Sequence, residues 1–220
     1  MRISPVNNRI FKQSFKANHS KENTVAVLGG TKFDEQRITD YRIASELTSC
    51  IIAYKKNILT DASTRGIIGQ VFYTAADYSK KDENGIAVQN LAIMQSQDEQ
   101  KCDSKECVVL DVVESSEEKI RKLLENADAF LIFPGDSDTD SEITSVIAHN
   151  FDAENKKKII LVGKDYFAGL DKNYNELYKR GLLQVNPKEL YTLVDSSKEA
   201  AIILGIYPPD DVEDIEDLEE

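Results

Sequence analysis

Short uninterrupted apolar runs alternate along the chain with longer stretches in which apolar residues recur every three or four positions, from Thr24 to Leu204. The runs Thr24–Leu28 (TVAVL), Asn57–Thr60, 86–90, 107–113 (CVVLDVV), 129–133 (AFLIF), 159–163 and 190–194 read as buried strands, short and apolar on successive positions. Between them, Ile38, Tyr41, Ala44, Leu47 and Ile51 predict a helix beginning near Glu35, and a second covers 64–79. Ser115 stands three residues before Glu118, a capping spacing, and Ile120, Leu123, Leu124 and Ala127 follow on one helical face. Further helices are predicted over 139–150, with Ile143, Val146 and Ile147 inward, and through Tyr174, Leu177 and Tyr178 to Gly181, whose missing Cβ suits a left-handed cap. The last is predicted over Ser197–Leu204. Strands of this kind alternating with helices imply an α/β fold, a Rossmann-like parallel sheet with helices on both faces. Ligands of such sheets bind beyond the carboxyl ends of the strands, so the loops after Leu28, Thr60, Val113 and Phe133 are the places to look.

Composition narrows this only at the ends of the chain. With 220 residues, 41% hydrophobic and 30% charged, the sequence suits one core. The net charge of −12 is concentrated in residues 210–220, which hold eight acids and leave −4 for the rest, whereas residues 1–21 carry five bases and no acid. The expected division is a basic N-terminal extension (1–23), one domain (24–207) and, after Pro208 and Pro209, an acidic tail (208–220) that solubilises the protein or tethers a partner. No apolar stretch approaches the roughly 18 residues of a membrane span, and residues 1–23 lack the apolar core of a signal peptide, so the expected location is the cytosol, away from membranes. Cys50, Cys102 and Cys107 are too few for a disulfide framework, and Cys102 with Cys107 is half a zinc site without its other half. Nucleic acid is not an expected partner, since no basic stripe with interleaved aromatics offsets the negative charge.

Candidate chemistry is reached partly by exclusion. The two histidines, His19 and His149, stand near no plausible nucleophile, and there is neither a GxxxxGK[ST] loop nor a complete GxGxxG. What remains is the strand-loop-helix AFLIF-PGDSDTDSE-ITSVI.

The segment 127–142 (ADAFLIFPGDSDTDSE) resembles the lonely-guy (LOG) phosphoribohydrolase family's segment ending in PGGxGTxxE. Residues 25–32 (VAVLGGTK) resemble its opening strand and double glycine, and Gly66-Ile67-Ile68 its Gly-Ile-Met helix start. Residues 158–182, with Tyr166-Phe167, Leu170 and Arg180-Gly181, and then 195–204, resemble its later strand, loop and helices. The resemblance implies a Rossmann-like homodimer that hydrolyses the N-glycosidic bond of a nucleoside 5′-monophosphate, an AMP-like small molecule, without cofactor or metal. It further implies that Gly29, Gly30, Thr60, Arg65, Gly66, Pro134, Gly135, Asp136, Ser137, Asp138 and Thr139 surround the nucleotide and its phosphate, and that Glu142 acts with a cation from the preceding helix. The arginine position of the family falls on Lys119, with Arg121 two residues further along; both flank the inward face of that helix, and either can serve.

The motif is altered where it matters. Asp136 and Asp138 stand in place of the second and third glycines, and Thr60-Asp61-Ala62-Ser63 in place of Thr-Gly-Gly-Gly. A phosphate of about −2 facing two carboxylates at about 4–8 Å is repelled by about one to several kcal/mol at an effective dielectric near 20. Thr64 and Arg65 are compensating donors, or Arg65 is simply solvated. Asp136, Asp138, Asp140 and Glu142 suggest a divalent cation, but Ser141 occupies the position where an EF-hand loop needs glycine. Thr139-x-x-Glu142 is also a capping box in its own right, and Tyr166 and Phe167 border a base pocket or close the core. Three functions therefore stand: an active phosphoribohydrolase, a nucleotide-binding relative without turnover, or an interaction protein working through its charged ends.

Overall fold

A computed structural model describes residues 23–32, 35–79, 90–96 and 107–206. Its strands β1 (Thr24–Leu28), β2 (Asn57–Thr60), β3 (Asn90–Gln95), β4 (Val108–Val113), β5 (Ala129–Ile132), β6 (Lys158–Val162) and β7 (Thr192–Val194) form one sheet in the order β4-β3-β2-β1-β5-β6-β7. Every neighbouring pair is parallel. The helices among the described residues are α1 (Ile38–Ala53), α2 (Gly66–Ser79), α3 (Ser116–Asn126), α4 (Ser137–Asp152), α5 (Lys164–Lys179) and α6 (Ser197–Leu204). The Rossmann-like α/β architecture expected from the alternation is the one the chain adopts.

Strand β1 shows why the runs are apolar throughout. Val25 and Val27 pack with Ile43, Leu47 and Ile51 of α1, Val71 of α2 and Leu204 of α6. Ala26 and Leu28 pack on the opposite face with Leu123 of α3, Ile143 and Val146 of α4 and Phe167 of α5. Both faces are covered, so both alternating sets of side chains contribute burial free energy. Strand order builds outward from β1 in both directions, and the loops after β1 and β5 therefore part from each other at the reversal point, leaving a crevice between them.

Several boundaries differ from the sequence reading. Among the described residues the third strand is Asn90–Gln95, which runs on past the expected 86–90, and 86–89 lie outside the described residues. Pairing decides it, because Ile58, Leu59 and Thr60 lie opposite Asn90, Leu91 and Ala92, a constraint no local pattern contains. Helix α4 begins two residues before Thr139, and β7 is shortened by a 3₁₀ turn at Pro187–Glu189. Two of the caps read from sequence are present: Ser115 Oγ accepts from the Glu118 amide at 3.2 Å, and Gly181 has φ +70°. The N-terminal extension up to residue 22, Cys102 and the tail 208–220 lie outside the described residues. Among the described residues, no helix is long and apolar enough to cross a membrane.

Candidate functional site

At the strand-order reversal lies a cleft of about 410 Å³, within the range of small-molecule sites. Gly29 and Thr31 line it after β1, and Asp61, Ala62, Ser63, Thr64 and Arg65 after β2. Gln95 closes the end of β3, Ser116 and Lys119 come from α3, and Asp136, Asp138, Thr139 and Glu142 from the turn after β5 and the first turns of α4. Three of the four loops singled out from the sequence contribute, and after Val113 it is helix α3 that does. Thr31, Gln95 and Ser116 were not anticipated; of these only Gln95 carried a signal, as a polar residue ending an apolar strand.

A buried ion pair joins two walls of the cleft. Lys119 Nζ lies 2.5 Å from Glu142 Oε1, and the two side chains are 8% and 11% exposed. Arg121, the other candidate cation, is corrected by the structure: it faces solvent and pairs within its own helix with Glu118 at 3.5 Å and Glu125 at 2.5 Å. Two residues turn a helix by about 200°, so both cannot reach the same cleft. Burial raises the Glu142 carboxyl above the ordinary glutamate range; Lys119 opposes the shift, and Asp61 and Asp138 add to it.

The capping box expected of Thr139 and Glu142 does not form. Asp136 is the N-cap of α4, its Oδ1 accepting from the Thr139 amide and from Thr139 Oγ1, each at 3.4 Å, so the start signal is aspartate rather than threonine. Glu142 is thereby left to Lys119. The alternating acids do not converge on a cation either, since residues two apart on a helix diverge. Asp140 instead accepts from the Tyr166 hydroxyl at 3.4 Å, and among the described residues no group of three or more His, Cys, Asp or Glu side chains is arranged to hold a metal ion.

The loop after β2 satisfies itself. The amides of Ala62, Ser63 and Arg65 donate to Thr60 Oγ1 at 3.1 Å, Asp61 Oδ1 at 2.9 Å and Ser63 Oγ at 3.3 Å. Each is a side chain two residues upstream, the geometry of local Asx- and Ser/Thr-type turns. Ala62 is buried with φ +58°, a left-handed conformation that costs a non-glycine residue about 1–2 kcal/mol. These backbone amides are engaged by the loop's own side-chain oxygens.

Several remaining candidates hold loops together. Gly30 donates to the Pro134 carbonyl at 2.9 Å and accepts from the Ile67 amide at 3.0 Å. Gly66, at φ +60°, comes so close that a Cβ would lie 2.2 Å from the Gly30 carbonyl oxygen. Thr60 is fully buried, and Ser137 is exposed outside the cleft lining. Gly30, Pro134 and Gly135 border a neighbouring hollow of about 190 Å³ with Arg37 and Tyr166. Tyr166 donates its hydroxyl to the Gly135 carbonyl at 2.8 Å beneath the Arg37 guanidinium, 4.9 Å from the ring centre, whereas Phe167 belongs to the core.

The model of the possible lysine decarboxylase family, which includes the LOG proteins, matches residues 71–204, more than half of the chain. The chain belongs to this family. No curated protein matches this LOG-family member by sequence. Among solved structures it is similar to the molybdenum cofactor binding protein from the phototrophic bacterium Rippkaea orientalis, with TM-score 0.57 and 14% identity over 84% of this chain and 96% of that one. It is also similar to the molybdenum cofactor carrier protein from Chlamydomonas reinhardtii, with TM-score 0.59 and 13% identity over the same shares, 84% and 96%. At such identity the likeness establishes the fold the LOG-family member shares with them.

Proposed function

We propose that this LOG-family protein binds a small molecule of nucleoside or nucleotide type in the Lys119–Glu142 cleft and holds it without breaking its glycosidic bond, acting in the cytosol as a homodimer. The observation that carries the reading is the cleft itself, of small-molecule size, at the strand-order reversal, with a buried charged pair joining its walls. Loss of turnover is supported by the loops: the amides that a reacting phosphate would need for its positioning donate to Thr60, Asp61, Ser63 and Asp136. The two solved neighbours are named for binding or carrying a cofactor rather than for a reaction, so molybdenum cofactor belongs in the ligand screen.

Thermal unfolding with adenosine, AMP and molybdenum cofactor tests the reading, since a ligand of the native state raises the melting temperature. A shift without release of free base is expected; no shift with any of the three refutes binding. Light scattering reads the oligomer.

One observation favours a second reading, hydrolysis. Glu142 holds its proton more tightly than an ordinary glutamate, as a general acid must if it is to protonate a departing base while water adds to the sugar carbon. Base release from AMP that disappears in Glu142→Gln would establish it.

A further inference from the structure

We infer that the cleft selects ligands without a phosphate, a nucleoside rather than its 5′-monophosphate, because carboxylate and hydroxyl oxygens of the chain already occupy the donors that would otherwise receive one. The inference rests on the cleft's taking a nucleoside-type ligand.

A helix N-terminus facing a crevice is ordinarily an anion site, because its first amides lack intrahelical acceptors. Here Asp136 supplies the anion from within, its Oδ1 accepting from both the amide and the hydroxyl of Thr139. This carboxylate is held in place. The turn that carries it is fixed by the Gly30 amide on the Pro134 carbonyl at 2.9 Å and by the Tyr166 hydroxyl on the Gly135 carbonyl at 2.8 Å. A Cβ on Gly135 would meet Thr139 Oγ1 at 2.2 Å, so the turn and the helix already touch.

The opposite wall repeats the arrangement. The amides of Ala62, Ser63 and Arg65 all donate to side-chain oxygens of their own loop. The charge balance follows the same direction, for Asp61, Asp136, Asp138 and Glu142 line the cleft against Arg65 and Lys119, and Lys119 is committed to Glu142. A dianion entering would lose its hydration, find these donors taken and face an excess of negative charge. A ribose hydroxyl or a base edge loses little there, and the carboxylates are acceptors for its protons.

Asp136→Asn is the discriminating variant, because asparagine caps a helix as well as aspartate and removes only the charge. Dissociation constants for adenosine and AMP are measured by calorimetry on the full chain at pH 7.5 and pH 5.5, on either side of the second phosphate ionisation near pH 6. Wild type is expected to bind adenosine at least about tenfold more tightly than AMP at the higher pH, about 1.4 kcal/mol. The gap should narrow at the lower pH and in Asp136→Asn, through tighter binding of AMP. Equal or tighter binding of AMP by wild type, or the same adenosine-to-AMP ratio in Asp136→Asn, overturns the selectivity while leaving a nucleoside-type site intact. Binding of neither compound by either protein overturns the reading of the cleft and the selectivity with it.

Discussion

Of the three cations on helix α3, Lys119 and Arg121 stand two residues apart, and their environments differ completely. Lys119 is buried against Glu142 across the cleft, while Arg121 lies in solvent between two glutamates of its own helix. Surface pairs of the second kind contribute little, because water screens them and ordering two long side chains costs entropy. A buried pair differs in the penalty for breaking it, since the survivor is left charged and desolvated. The comparison teaches that charge placement, not charge count, marks the working side of this helix.

The largest expected effect is that of Lys119→Met, which strands Glu142 and should destabilise the fold by about 3–5 kcal/mol in urea unfolding. The loss should shrink with falling pH. The folded-state value of Glu142 is raised even in wild type, so the native state holds the proton more tightly than the unfolded chain and stability declines as pH rises from the ordinary glutamate range through that value. Without Lys119, which lowers it, the window extends upward. Adding Glu142→Leu should restore most of the stability; a double variant as unstable as the single one would break the comparison.

Smaller effects sharpen it. Asp136→Ala removes the α4 cap and should cost about 1 kcal/mol, whereas Asp136→Asn should be nearly silent in the same urea titration. Ala62→Gly relieves a left-handed residue and should stabilise by up to about 1 kcal/mol, net of the added freedom of the unfolded chain; destabilisation would show that the methyl group's packing outweighs the strain. Arg121→Ala should change stability by less than about 0.5 kcal/mol and ligand affinity not at all.

Much of this was legible in the residues, for a definable reason. Apolar runs and three- to four-residue spacings report burial directly, so β1, β2, β5 and the helices fall close to where the pattern puts them. Strand β3 continues past the expected 86–90 to Gln95, because its register, with Ile58 opposite Asn90 and Thr60 opposite Ala92, is not contained in the local pattern. Lys119 and Arg121 were indistinguishable from α3 alone, since both flank its apolar face; α4 presents Glu142 to one of them. The Asp136 cap is a strong local signal that the competing Thr139–Glu142 spacing masked. From sequence Gly30 and Gly66 look like part of a ligand cradle, but the closeness of two distant loops is visible only in three dimensions.

Strand β1 runs between partners from both halves of the chain, with Val25 opposite Ile58 on one side and Ala129 on the other. Sheets assembled from such distant segments fold slowly, because a long loop must close before its contacts repay the entropy. A growing polypeptide emerging from the ribosome therefore has no binding hollow until α4 has been made, long after β1 and β2. Any compound that recognises the hollow meets only molecules whose central strands are already joined, and by clasping both halves it should act as a brake on their separation.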